Sequence, residues 1–148
     1  MKAYQQCDRQ FALLLKAHEL STTQFDVLSS IHAQGPKVKL SDVANYLVVT
    51  KGNITGLVQR LQTMGLVTTQ PCELDRRVTY CALTAKGRKK LSLAQVAASQ
   101  FIQKQLEPFT DEECVQINAL MRRMNAHLKT MDIDQINDLA KQHLKEHK

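Results

Sequence analysis

Apolar residues recur at helical spacing from the start of the chain. Phe11, Leu14, Leu15 and His18 fall on one face of a first helix that ends near Glu19. Ser21-Thr22-Thr23-Gln24 then has the spacing of a capping box, with Ser21 as N-cap and Gln24 reaching back. Phe25, Val27, Leu28 and Ile31 give the second helix its apolar stripe, and Gly35-Pro36 stops it. A short third helix is expected over about 40–47, with Val43, Ala44 and Leu47 inward. Val48-Val49-Thr50 forms a turn, and Thr50 is placed to cap the next helix. That fourth helix turns Ile54, Leu57, Val58 and Leu61 inward. It ends at Met64-Gly65, where the glycine suits the left-handed position after a helix.

The period then changes from helical to extended. Residues 66–70 and 78–83 are rich in Val, Thr and Leu and pair as a hairpin across a polar tip, Glu73-Leu74-Asp75-Arg76-Arg77. Pro71 marks its strand as an edge or a bulge. Thr84 caps a long helix running to about Glu107, closed by Pro108. Thr110-Asp111-Glu112-Glu113 opens another helix through a second capping box, with an acidic first turn that suits the helix dipole. Its stripe is Ile117, Leu120, Met121, Met124 and Leu128, and a last short helix is expected from about Asp132 to Leu144. The fold class is mainly α with a small β-hairpin.

Charge sharpens this picture. The 148 residues carry a net +6, yet residues 36–90 alone hold ten Lys and Arg against Asp42, Glu73 and Asp75, a net +7. A localised basic block is the footprint of a polyanion partner. No apolar stretch approaches the ~20 residues of a membrane span, and the first residues lack an apolar signal-peptide core. The expectation is a cytoplasmic chain with no membrane partner. No nucleophile stands at usable spacing from a base, and no phosphate-cradling glycine loop or metal triad appears. An enzyme is therefore not expected, and nothing calls for a cofactor.

Helix, short helix, turn, helix, hairpin is the order of a winged helix-turn-helix. In that geometry the helix after the turn lies in the major groove with its first residues at the base edges. Thr50, Gly52, Asn53, Thr55 and Gly56 are small or polar there, which lets backbone come close and leaves hydrogen-bonding groups available. Two interior glycines cost about 1 kcal/mol each against alanine, so they point to close approach, the alternative being packing against the preceding helix. Lys51, Asn53, Thr55 and Gln59 are the candidate base readers, and Arg60, Lys86 and Arg88 the candidate phosphate contacts. On a regular strand Asp75 and Arg77 share one face, so the carboxylate orients a guanidinium that enters a minor groove, while Arg76 points away.

These residues resemble the MarR family of winged-helix transcriptional regulators. The likeness is carried by Leu20-Ser21-Thr22-Thr23-Gln24-Phe25-Asp26-Val27-Leu28 and by Leu40-Ser41-Asp42-Val43-Ala44-Asn45-Tyr46-Leu47. It continues through Asn53-Ile54-Thr55-Gly56-Leu57-Val58-Gln59-Arg60-Leu61, Gly65-Leu66-Val67, the wing run Asp75-Arg76-Arg77-Val78, and Leu83-Thr84-Ala85-Lys86-Gly87. It spans about residues 10–130. The resemblance implies a homodimer with interlaced terminal helices, a recognition helix over 50–64, and a wing over 66–83 whose Asp-x-Arg is Asp75 and Arg77. It also implies a pseudo-palindromic double-stranded DNA operator, more often repressed than activated, and release by a small-molecule or redox effector. The domain layout that follows is a dimerisation helix over 1–20, the DNA-binding domain over 21–90 and dimerisation helices over 91–148. The first helix is short at its N-terminus. The peroxide-sensing cysteine of one branch of the family aligns before Met1, so Cys7 does not inherit that role.

Cys7 remains the candidate redox sensor on its own position in the first helix. Cys72, Cys81 and Cys114 read as packing thiols, and the short tip keeps Cys72 away from Cys81. His143 and His147 share a helix face at metal-binding spacing without a third ligand, so no metal site is assigned. His18 and His32 read as structural, with an effector pocket as the alternative. The competing function is a winged-helix protein-interaction module without DNA binding, which calls for apolar anchors on the recognition helix.

Overall fold

The computed structural model describes residues 2–47, 51–134 and 137–138, with Lys51 by its backbone. Helix α1 (Lys2–Ala17) leads to α2 (Thr22–Gln34), the short strand β1 (Val38–Lys39), α3 (Leu40–Leu47) and α4 (Lys51–Thr63). Strands β2 (Val67–Pro71) and β3 (Thr79–Leu83) follow, then α5 (Ala85–Leu106) and α6 (Asp111–Leu128). Residues 1–104 form one compact unit and 105–148 a second. None of the described helices is long and apolar enough to cross a membrane.

Local chemistry sets most of the boundaries. Ser21 caps α2 as expected: its hydroxyl accepts from Gln24 N–H, and the Gln24 side chain accepts from Ser21 N–H. Thr84 caps α5, its hydroxyl accepting from Gly87 N–H at 2.9 Å. Two helices end in the left-handed turn with paired 6→1 and 5→2 bonds. After α4, Gly65 (φ 71°) donates to Gln62 O while Leu66 donates to Leu61 O. After α1, Glu19 (φ 54°) donates to Lys16 O while Leu20 donates to Leu15 O. A side chain at that φ is strained, and Lys90 of α5 meets the Glu19 carboxylate there, holding it below the usual carboxylate range.

The core of the first unit lies between α2, α3, α4 and the sheet. Val27, Leu28, Ile31, Val43, Ile54, Val58, Leu61 and Leu66 are buried in it. From α4 these are Ile54, Val58 and Leu61, with Leu57 half-buried, which is the predicted inward face. Leu15 of α1 and Leu91 and Ala94 of α5 complete it. The Phe11 ring stands edge-on to Phe25 at 5.8 Å and tilted to Phe101 at 5.5 Å.

The predicted hairpin forms as β2 and β3, and β1 adds a third strand that the sequence reading does not include. The sheet has three antiparallel strands in the order β1-β3-β2, with Val38 opposite Cys81 and Val67 opposite Leu83. A two-residue strand is too short to carry a period of two, so β1 left no pattern in the sequence. Its Val38 is buried, and the Cys81 thiol donates to Val38 O at 3.5 Å. β2 is an edge strand, and Pro71 occupies its last ladder position, opposite Thr79.

In the second unit, Thr110 caps α6 with Glu113 in the predicted box. The stripe Ile117, Leu120, Met121, Met124 and Leu128 is exposed, and no residue of α6 is buried. Of the expected last helix, residues 132–134 and 137–138 are described, and all but Asp132 are helical; His143 and His147 lie outside the described residues.

Candidate nucleic-acid interface

With its apolar side spent on the core, α4 turns Gly52, Asn53, Thr55, Gln59 and Arg60 outward. Thr50 and the side chain of Lys51 lie outside the described residues. A Cβ added at Gly52 or at Gly56 would meet nothing within 4 Å. Packing against the preceding helix therefore does not account for either glycine. Both line an open hollow of about 370 Å³ with Thr23 of α2 and with Asn53, Leu57 and Arg60.

The far end of α4 is tied down. Lys86 Nζ donates to Met64 O at 2.8 Å, and the Thr84 hydroxyl donates to Gly65 O at 2.8 Å. Gln62 Nε2 donates to Thr69 Oγ1 of β2, also at 2.8 Å. Arg88 donates from Nη1 to Leu83 O, closing β3. Lys86 and Arg88 thus each commit one donor to backbone carbonyls and keep the rest of an exposed cationic head.

At the wing, Asp75 and Arg77 come together by a different route from strand alternation. Both lie beyond the ladder, which ends at Pro71 and Thr79. Asp75 Oδ1 accepts from Arg77 N–H at 3.0 Å, an Asx turn, and Val78 N–H donates to Asp75 O at 2.9 Å. The same carboxylate takes the guanidinium, Nε on Oδ1 at 3.1 Å and Nη2 on Oδ2 at 3.4 Å. The Arg77 side chain and backbone N–H together hold the Asp75 carboxyl below its usual range. The Arg77 side chain is otherwise open to solvent, at 92% exposure, and Arg76 is exposed in the same turn. Arg77 also lines a hollow of about 460 Å³ with Ser41 of α3 and Ile54 and Thr55 of α4, so wing and helix border one surface.

Other candidates fall outside this surface. Cys7 is half-buried on α1, Cys72 follows β2 and donates its N–H to Val78 O, and Cys114 is half-buried on α6. None of the four cysteines is joined in a disulfide, and burial pushes the Cys81 thiol up to about 11, far from a reactive thiolate. His18 is half-buried and His32 exposed. Among the described residues no three His, Cys, Asp or Glu side chains gather to hold a metal ion.

Two features escaped sequence reasoning. Gly87 runs against the backbone of Leu66, a contact that only the tertiary fold creates. Leu74, within a tip read as polar, is 99% exposed.

Comparison with known proteins agrees with the geometry. Residues 18–78 match the MarR family. The HTH-type transcriptional regulator PecS of Dickeya dadantii (strain 3937) is 27% identical over 126 residues, spanning 82% of this chain and 74% of that protein. The homoprotocatechuate degradative operon repressor of Escherichia coli is 26% identical over 116 residues, 78% of each chain. The crystal structure of a mutant MarR from Escherichia coli complexed with operator DNA shares the fold. Its TM-score is 0.74 at 24% identity, over 82% of this chain and 86% of that one. These relatives are transcriptional regulators, not enzymes. Over residues 18–78 this chain is similar to the MarR family of winged-helix transcriptional regulators.

Proposed function

We propose that the chain is a homodimeric cytoplasmic repressor that binds a pseudo-palindromic double-stranded operator and is released by a small-molecule or redox signal. The observation that carries this reading is the outward, empty face at Gly52 and Gly56 beside a wing whose Arg77 is held in one orientation. Small residues without an internal reason lower a helix onto something external, and the exposed groups around them are hydrogen-bonding ones. Lys51, Asn53, Thr55 and Gln59 read base edges in the major groove, and Thr50 belongs to the same DNA-binding set. Arg60 and the unspent donors of Lys86 and Arg88 hold backbone phosphates, with Arg76 beside them. Arg77, oriented by Asp75, enters the minor groove.

The dimer reading rests on α6. Five large apolar side chains on one exposed stripe cost solubility unless something covers them, and a second copy of the chain does so. Two recognition helices then meet half-sites about 34–36 Å apart. Release by a small anion is supported by the hollow that Thr55 and Arg77 share, since a ligand there competes with DNA for Arg77. The redox arm falls to Cys7.

The test is titration of the purified protein against its own upstream DNA at ~50 and ~200 mM salt, with sedimentation in parallel. The expected result is a particle of twice 16.8 kDa. Its affinity should fall by about 10³–10⁵ between the two salts, as 6–10 phosphate contacts require. Binding no better than to random DNA, confirmed by selection from genomic fragments, would leave the protein-interaction reading. Gly56→Ala separates fold from function in the same assay. Because the added methyl meets open space, stability should rise by about 0.5–1 kcal/mol in thermal unfolding while operator affinity falls. Unchanged affinity would remove close approach as the reason for the glycine.

A further inference from the structure

The wing ends in an apolar residue that its fold leaves uncovered. Hairpin hydrogen bonding stops at Cys72 N–H to Val78 O, and the five residues beyond it form the tip. Leu74 stands near its crest at 99% exposure, ahead of Tyr4 at 77% and Val115 at 68% among the exposed apolar side chains. Tyr4 and Val115 lie on helices, α1 and α6 respectively. Leu74 lies on a turn, where no such periodicity explains it.

The turn is stiff. Asp75 is bonded to the backbone and the side chain of Arg77, and Val78 N–H closes onto Asp75 O. Leu74 directly precedes this bonded turn, which lowers the ordering cost of presenting it. The tip is also electrically balanced, since Glu73 and Asp75 offset Arg76 and Arg77. Its hold on a polyanion is therefore weaker than the basic block behind it supplies, and apolar contact is what its most exposed residue can add.

We propose that Leu74 is an apolar minor-groove contact that packs against the deoxyribose walls beside Arg77 and supplies salt-independent affinity for the operator. This rests on the DNA-binding reading above. Proteins that enter the minor groove place apolar side chains there, often as wedges between base steps. The sugar carbons that line both walls offer a leucine an apolar surface without unstacking. The two tip residues then divide the work: Arg77 meets the negative potential of the groove, and Leu74 removes apolar surface from water.

The signature is in the salt dependence. A contact that neutralises no phosphate releases no counterion, so its loss lowers affinity by the same factor at every salt concentration. Leu74→Ala and Leu74→Gln are each expected to weaken binding to the tightest duplex from the upstream-DNA titration by about tenfold, with an unchanged salt slope. Leu74→Met keeps an apolar side chain of similar size and should stay within about twofold of the wild type. All three should fold and sediment as the wild type, because the side chain touches nothing in the protein.

Wild-type affinity in Leu74→Ala and Leu74→Gln overturns the proposal. So does a loss that comes with a flatter salt slope, which marks an altered electrostatic contact. A change in oligomeric state in either variant also overturns it, by assigning the leucine to self-association. If the wild type itself prefers no duplex, the DNA-binding reading has failed and takes this proposal with it. Wild-type binding with unaffected variants fails this proposal alone.

Discussion

Gly87→Ala is expected to destabilise the first unit by about 3 kcal/mol or more, at the upper end of what overpacking costs. A methyl group there would lie 2.0 Å from Leu66 O, 2.9 Å from Leu66 C and 3.2 Å from Leu66 Cα. Backbone on the other side leaves no rotamer to give way. Leu66 O is also fixed, because it accepts Thr84 N–H at 3.0 Å, and Leu66 N–H closes the turn after α4. Relief therefore requires the first turn of α5 to lift off the start of β2, breaking the Thr84 bonds. Against the 5–15 kcal/mol that holds a typical domain, this is a large fraction. Urea unfolding of Gly87→Ala beside Gly56→Ala is the measurement, the two glycines being opposite cases. A loss under ~1 kcal/mol at Gly87 would mean that α5 and β2 do not meet as described.

Arg77→Ala is expected to weaken operator binding by about 10–100-fold at low salt, to reduce the salt slope by about 1, and to leave the fold intact. The side chain is 92% exposed and its bonds go to Asp75, so nothing in the core depends on it. Arg77→Lys should recover little, because an ammonium cannot take the two carboxylate oxygens through a planar fork. Asp75→Asn should cost less than Arg77→Ala, since the charge remains while its orientation loosens. The pH dependence has a definite sign. A carboxyl whose folded-state pKa is depressed keeps its ion pair above the ordinary value, ~3.9, and loses it only as pH falls through the lower one. Binding between pH 6 and 8 should therefore show no titration from Asp75. Wild-type affinity and slope in a folded Arg77→Ala variant would remove the wing from the interface.

What the sequence disclosed, it disclosed where the cause is local. Ser21 with Gln24, Thr110 with Glu113, Thr84 and Gly65 each act on backbone within a few residues, so their residue types announce helix ends directly. Helix α4 was legible because its core face repeats at i, i+4 and i+7 in Ile54, Val58 and Leu61. Features with a distant cause were not. Val38 is a strand residue only because Cys81, 43 positions on, pairs with it. Gly87 is needed because Leu66 passes over it, and Lys86 caps a helix that ended more than twenty residues earlier. The pairing of Asp75 with Arg77 was foreseen from the right residues by the wrong geometry. Alternation along a strand needs the ladder to extend to them, and an aspartate that bonds its own backbone ends the ladder first.

The three ties at the end of α4 have a mechanical consequence. Met64 O, Gly65 O and Gln62 tie the end of the helix to Lys86, Thr84 and β2, and these bonds oppose movement of the helix against the wing. Rotating the helix against its wing would break them. In the dimer proposed above, the adjustable quantity would then be the gap between two such helix-and-wing parts. A signal that opened that gap would act as one opens a caliper: each jaw would keep its shape, and the grip would fail because the jaws no longer fitted the pitch of the rod.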